Sequence, residues 1–262
     1  MKRLAALVLL TVMLMGCGLV QEPARKQNDP VVPSPYRPED FVLVGDYLQC
    51  TKGSTVVGID VSSHQGQIDW QTVAASGVKF AFVRLGYRGY ESGTLHEDEF
   101  AKENLAGAKA AGLKVGAYFF SQAISTEEAT TEAVYALEIL NGFSLDLPLV
   151  FDWEYISESA RTGKVDRDTL TGLTKAFCRV VEEAQCRPMI YFNTNQGRFR
   201  LKLEELGDYP WWLAKYSMEA EFLCRVDLWQ YTDQGSVPGI QGEVDIDLMF
   251  TDYGLGKEIF GH

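Results

Sequence analysis

A chain of 262 residues with 46% hydrophobic and 12% aromatic side chains can bury a sizeable core, and its length suits one α/β barrel. That composition excludes a disordered chain. A formal net charge of −12 excludes the basic surface on which nucleic-acid binding and electrostatic docking to anionic lipid depend, while naming no substrate.

The chain opens with Met1-Lys2-Arg3 and an almost unbroken apolar run from Leu4 to Met15, too short to span a bilayer comfortably. Residues 1–16 are therefore predicted to be a secretory signal peptide. The run ends in Leu14-Met15-Gly16-Cys17, which resembles a bacterial lipobox, so Cys17 is the expected lipidated first residue of the mature protein. The plainer reading is an ordinary signal peptide cut somewhat later; under both, the protein leaves the cytoplasm. Residues 17–54 are expected to be a tether, because Pro23, Pro30, Pro33, Pro35 and Pro38 interrupt a polar stretch that cannot build a core. Within it, residues 41–50 are more apolar and are expected to pack on the domain edge. Cys50, Cys178, Cys186 and Cys224 match no zinc spacing and permit either two disulfides or buried thiols.

Residues 55–262 are expected to be the catalytic barrel. Val56–Val61 reads as a first strand, and Asp69 caps a brief helix that ends at Gly77. Lys79–Leu85 is a second strand, and a helix over Glu97–Ala111 stops at Gly112. Lys114–Phe120 is a third strand. Ser125-Thr126-Glu127-Glu128 fits a capping box, opening a helix to Gly142. Leu147–Asp152 is a fourth strand. Residues 168–185 place Leu170, Leu173, Phe177, Val180 and Val181 on one helical face, and Pro188–Asn193 is a fifth strand. Trp211–Tyr216, Val226–Tyr231 and Glu243–Leu248 then read as strands whose connections, 217–225 and 232–242, are too short for full crossover helices. The prediction is a single-domain α/β fold: an irregular TIM-like β/α barrel of five β/α units plus three further strands.

Active sites of such barrels sit at the C-terminal strand ends. There the sequence places Asp60, Arg84, Tyr118, Asp152-Trp153-Glu154, Tyr191 with Asn193, Trp229-Gln230-Tyr231, and Asp245 with Asp247. Asp152 and Glu154 are two apart, so on a strand both face one cleft. Like charges held close keep one carboxyl protonated, the two-carboxylate arrangement of glycoside hydrolysis. Glu154 reaches further and is the expected proton donor, raised by its neighbour Asp152, which is expected to stay ionised. Each residue also has a plain structural reading: Asp60 as a turn cap, Asp245 as an ion-pair partner of Arg84, the aromatic residues as core. Convergence on one rim favours the functional reading.

The stretch from Gly58 to Phe250 resembles glycoside hydrolase family 25, the lysozymes or N-acetylmuramidases. The residues that carry the resemblance are Gly58-Ile59-Asp60-Val61-Ser62-Ser63-His64-Gln65-Gly66, Ile68-Asp69-Trp70, Phe82-Val83-Arg84, Gly116-Ala117-Tyr118-Phe119, Asp152-Trp153-Glu154, Leu228-Trp229-Gln230-Tyr231 and Val244-Asp245. The resemblance implies the same irregular barrel and cleavage of the β-1,4 bond between N-acetylmuramic acid and N-acetylglucosamine. It implies Glu154 as the acid, with Asp152, Asp60 and Asp245 as supporting carboxylates. Tyr118, Tyr191, Trp229, Gln230 and Arg84 are the expected substrate-binding residues, with Arg84 also holding a rim carboxylate ionised. Phe192-Asn193 departs from the family's smaller hydroxyl residues. No cofactor or metal is expected: His64, His96 and His262 are the only histidines, and none forms a metal-binding pair. Asp152 is read as orienting the substrate's 2-acetamido group, with a covalent nucleophile as the alternative. The expected partners are peptidoglycan glycan strands and, through the lipid, a bacterial membrane; the protein is expected to be an extracytoplasmic monomer that binds no nucleic acid. The competing readings are a non-catalytic glycan-binding lipoprotein on the same barrel and a metal-dependent deacetylase, for which the Asp/His cluster is missing.

Overall fold

β-branched and aromatic residues form the strand runs, and short polar side chains cap the main helices. The computed structural model describes residues 31–216 and 224–261. The expected signal segment, Cys17 and the tether up to residue 30 lie outside the described residues. A hairpin of β1 (Phe41–Val44) and β2 (Tyr47–Cys50) comes first. Then follow β3 (Thr55–Val61), α1 (Trp70–Ala75), β4 (Phe80–Arg88), β5 (Leu95–Glu97), α2 (Ala101–Ala110), β6 (Lys114–Ser121), α3 (Thr126–Leu140), β7 (Leu149–Trp153), α4 (Arg167–Glu183) and β8 (Pro188–Asn193). The chain continues through α5 (Thr194–Phe199), β9 (Trp211–Ala214), β10 (Leu228–Gly235), β11 (Val244–Phe250) and α6 (Gly254–Phe260). The side chains of Asp69, Ser125 and Asp166 accept from the backbone N–H of Thr72, Glu128 and Thr169, fixing the starts of α1, α3 and α4.

The sheet order is β3-β11-β10-β9-β8-β7-β6-β4, and β3 pairs again with β4, so eight strands close a barrel. From β3 through β4, β6, β7, β8 and β9 to β10 the neighbours are parallel; β11 runs antiparallel to both β10 and β3. This is the expected irregular β/α barrel. Two details differ. The helix expected from Glu97 starts at Ala101, because Leu95–Glu97 pairs with Gly86–Arg88 of β4. The additional α5 begins at Asn193, whose side chain exchanges reciprocal capping hydrogen bonds with Gln196.

The lower barrel is filled by Phe80, Phe82, Val150, Met189, Leu228 and Met249, with Ile259 and Phe260 of α6 packed against them. Two glycines make room for the phenyl rings. A Cβ on Gly58 would lie 2.1 Å from the Phe80 ring, and one on Gly116 2.3 Å from Phe82. Above this packed floor the barrel opens at its C-terminal mouth.

Among the described residues no crossover helix lies between β9 and β10 or between β10 and β11. The β1–β2 hairpin covers the outer faces of β10 and β11. Phe41 meets Trp229 edge-on at 5.1 Å between ring centroids, Tyr36 stacks on Phe250 at 5.0 Å, and Leu48 N–H donates to the Tyr231 hydroxyl at 3.4 Å. Tyr36, Phe41 and Leu48 belong to the main core, so the folded unit begins well before residue 55 and the expected tether is correspondingly shorter. The edge packing expected for 41–50 is observed. Cys50, Cys178, Cys186 and Cys224 are free thiols. Burial pushes the Cys224 thiol up to about 12.

Candidate active site

Strand alternation aims one side chain in two at the barrel mouth. Asp60 of β3 lies in register with Asp245 of β11, and Asp152 of β7 with Tyr191 of β8. Glu154 follows one step beyond β7 on the same face. These residues, with Arg84, Tyr118 and Gln230, line one cleft of about 200 Å³. Gln230 Nε2 donates to Asp60 Oδ2 at 2.7 Å, while Gln230 Oε1 accepts from the Tyr191 hydroxyl at 3.0 Å and the Tyr216 hydroxyl at 2.9 Å.

The backbone of Asp152-Trp153-Glu154 is clamped from both sides. Gln122 Nε2 donates to the Glu154 carbonyl at 2.8 Å, Gln196 Nε2 donates to the Trp153 carbonyl, and the Trp153 indole donates to the Ala123 carbonyl at 2.9 Å. The departure at Phe192-Asn193 is explained here: Phe192 packs edge-on against Trp211, away from the cleft, and Asn193 caps α5.

One expectation and one plain structural reading are corrected. Trp229 does not line the cleft. It alternates with Gln230, so it faces outward, donates to the Lys215 carbonyl at 3.0 Å and packs against Phe41 and Tyr231. The cleft's tryptophan is Trp212, two positions before Ala214, the register partner of Gln230. Arg84 does line the cleft, but its ion-pair partner is Asp98, not Asp245. Nε and Nη2 both reach Asp98 Oδ2 at 2.8 Å, and Nη2 also donates to Ser63 Oγ at 3.2 Å. Sequence reasoning also missed His64, Gln65, Phe120 and Tyr216 in the lining and left Asp247 without a role. Tyr216 ends the expected strand Trp211–Tyr216 in phase with Trp212, so the alternation rule applied there would have found it.

The profile of the family described as glycosyl hydrolases family 25 matches residues 59–240. The chain belongs to this family. The match spans the cleft residues from Asp60 to Gln230 and stops before Asp245 and Asp247. An autolytic lysozyme of Clostridium acetobutylicum is 29% identical over 196 residues, covering 72% of this chain and 54% of that protein. The bacterial lysozyme of Streptomyces coelicolor superposes with a TM-score of 0.65 at 25% identity, covering 79% of this chain and 97% of that one. The modular autolysin LytC of Streptococcus pneumoniae, solved in complex with a synthetic peptidoglycan ligand, gives a TM-score of 0.65 at 27% identity over 74% of this chain and 46% of that one. The chain thus spans about half the length of the clostridial and pneumococcal proteins.

In this family 25 chain all the cleft acids are displaced in one direction. Burial raises Asp60 well above the usual carboxylate range, and the charges of Asp245 and Asp247 add to it. Burial, then Asp233, lifts Asp245 to about 6. Asp152 is raised well above its ordinary value by burial, then by Glu154, with Arg84 opposing. Glu154 is raised by burial and then by Asp245. Repulsion between Asp152 and Glu154 disfavours ionisation of both together, and burial acts on each in the same direction. Asp152 Oδ1 has no hydrogen-bond partner among the described residues.

Proposed function

We propose that this chain is an extracytoplasmic muramidase that hydrolyses the β-1,4 bond between N-acetylmuramic acid and N-acetylglucosamine in peptidoglycan. The observation that carries the reading is the placement of Asp152 and Glu154 on one face at the end of β7, inside a cleft that keeps both carboxyls raised. Membership of a glycosyl hydrolase family supports bond cleavage rather than glycan binding alone. The peptidoglycan ligand of LytC and the lysozyme names of the relatives support the substrate class.

Substrate binding redistributes the protons. An acetamido N–H donated to the unpartnered Asp152 Oδ1 favours the ionised form of Asp152. A charged Asp152 then keeps the proton on Glu154, two residues away. Glu154 donates that proton to the glycosidic oxygen as the bond to the anomeric carbon breaks. The acetamido oxygen attacks the anomeric carbon, and Asp152 balances the positive oxazolinium. Water then attacks the same carbon, gives its proton to Glu154 and restores the enzyme with retained configuration. Asp245 adds negative charge above about pH 6, and Gln230, held by Tyr191, orients Asp60. Tyr118 lines the sugar site, and Arg84 fixes the rim through Asp98.

Lipidation of Cys17, after removal of residues 1–16, is part of the same reading. It rests on Leu14-Met15-Gly16-Cys17, and it makes the protein a membrane-tethered monomer acting on glycan strands outside the cytoplasm, with no nucleic-acid partner. Cys17→Ser is expected to move the protein from the membrane fraction to the soluble one; unaltered fractionation contradicts the anchor. The activity itself is tested by incubating the purified protein with cell walls. Release of N-acetylmuramic acid reducing ends supports it; release of acetate, or no product, contradicts it.

A further inference from the structure

Asp247 lies on the inner face of β11, wholly buried, in register with Gly58 of β3 and Gln230 of β10. Its Oδ1 accepts the Trp212 indole N–H at 2.9 Å. Its Oδ2 receives no N–H or hydroxyl donor among the described residues. The Asp60 carboxyl lies beside it, because the register partner of Asp60 is Asp245, two residues before Asp247 on the same face of β11. The outer oxygen of Asp60 is already taken by Gln230 Nε2 at 2.7 Å, and the orientation of that amide is fixed by Tyr191 and Tyr216 donating to Oε1.

Ionised carboxylates only accept hydrogen bonds, so two carboxyls in contact need one proton between them. The surroundings provide no substitute. Asp245 on the same strand and Asp152 across on β7 are acidic, while Tyr118 of β6 and Tyr231 of β10 are phenols raised by burial and neutral. The Arg84 charge acts on Asp152 and Tyr118. N–H donors occupy the outer ends of the pair, Gln230 on Asp60 and Trp212 on Asp247, which leaves the proton between the inner oxygens.

We propose that Asp247 is a positioning residue for Asp60, the two carboxyls sharing a single proton that locks Asp60 in its orientation toward the cleft. Asp60 thereby presents less than a full charge to the site. The effect on catalysis rests on the muramidase reading above; the shared proton does not.

The test compares the full chain with Asp247→Asn by infrared spectroscopy at neutral pH. The asparagine oxygen keeps the Trp212 hydrogen bond, so its Nδ2 is forced to donate to Asp60, which becomes ionised. One protonated-carboxyl C=O band of the wild type is expected to disappear, while those of the other raised cleft acids persist. Asp60→Asn is expected to remove the same band from the other side, and it serves alone if Asp247→Asn does not fold. On cell walls, Asp247→Asn is expected to shift the acidic limb of the pH–rate profile upward by about one unit, because a fully charged Asp60 disfavours the ionisation of Asp152 that turnover requires. KM should hold while kcat at the wild-type optimum changes by about tenfold. Retention of the band in a folded variant, or a wild-type profile in Asp247→Asn, overturns the proposal. A wild type that loses the band in both variants yet releases no reducing ends supports the shared proton and overturns only the muramidase reading.

Discussion

Gln230 donates to Asp60 at 2.7 Å, and this bond is the one hydrogen bond that works against the burial of Asp60 by favouring its ionised form. Gln230→Leu removes it and strands the hydroxyls of Tyr191 and Tyr216. The expected cost is about 1–3 kcal/mol of stability and a loss of about 10–100-fold in kcat/KM. A thermal melt and a reducing-end assay on the same preparation check both. A variant with full activity contradicts the role given to Gln230.

Arg84 and Asp98 form a pair in which Asp98 is wholly buried and also accepts from the backbone N–H of Ser63 and Phe100. Arg84→Ala leaves that carboxylate without its cation, so destabilisation of about 3–5 kcal/mol is expected. Loss of the Arg84 charge also removes the influence that opposes the rise of Asp152. Denaturant midpoints measure the first effect; a change below about 1 kcal/mol contradicts it.

The raised cleft acids make stability fall toward alkaline pH. The folded protein holds protons on Asp152, Glu154 and Asp245, and one between Asp60 and Asp247, that the unfolded chain has already released above about pH 4. Their contribution is fully present below the unfolded values and is lost as pH rises through the folded ones. For Asp245 that window runs from about pH 4 to about 6. Asp245→Asn is therefore expected to flatten the decline in melting temperature across this window, and an identical pH dependence contradicts the assignment.

Much of the fold was legible because its signals are local. Asp69 and Ser125 cap helices where short polar residues precede apolar periodicity, and Pro188–Asn193 reads as a strand and is one. The rim acids were legible from D-x-E spacing at a strand end. What the sequence concealed depends on three-dimensional context. Nothing in Phe41 or Leu48 announces that they cover β10 and β11, and Arg84 finds Asp98 only because β5 folds back along β4. Trp229 and Trp212 differ only in strand phase, which register with Gln230 decides.

That phase gives a separable expectation. Trp229→Phe loses the hydrogen bond to the Lys215 carbonyl and lowers stability by about 1–2 kcal/mol, with KM unaltered. Trp212→Phe, which leaves Asp247 Oδ1 without its donor, is expected to impair turnover. Melts and steady-state kinetics distinguish the two; a raised KM in Trp229→Phe contradicts its outward placement.

The most direct measurement compares wild type with Glu154→Gln on purified peptidoglycan, identifying products by mass spectrometry beside a circular dichroism melt. Glutamine keeps the shape of Glu154 but carries no transferable proton. The account expects the wild type to generate new N-acetylmuramic acid reducing ends and the folded variant to do so about 10²–10⁴-fold more slowly. A folded Glu154→Gln that cleaves at nearly the wild-type rate contradicts it.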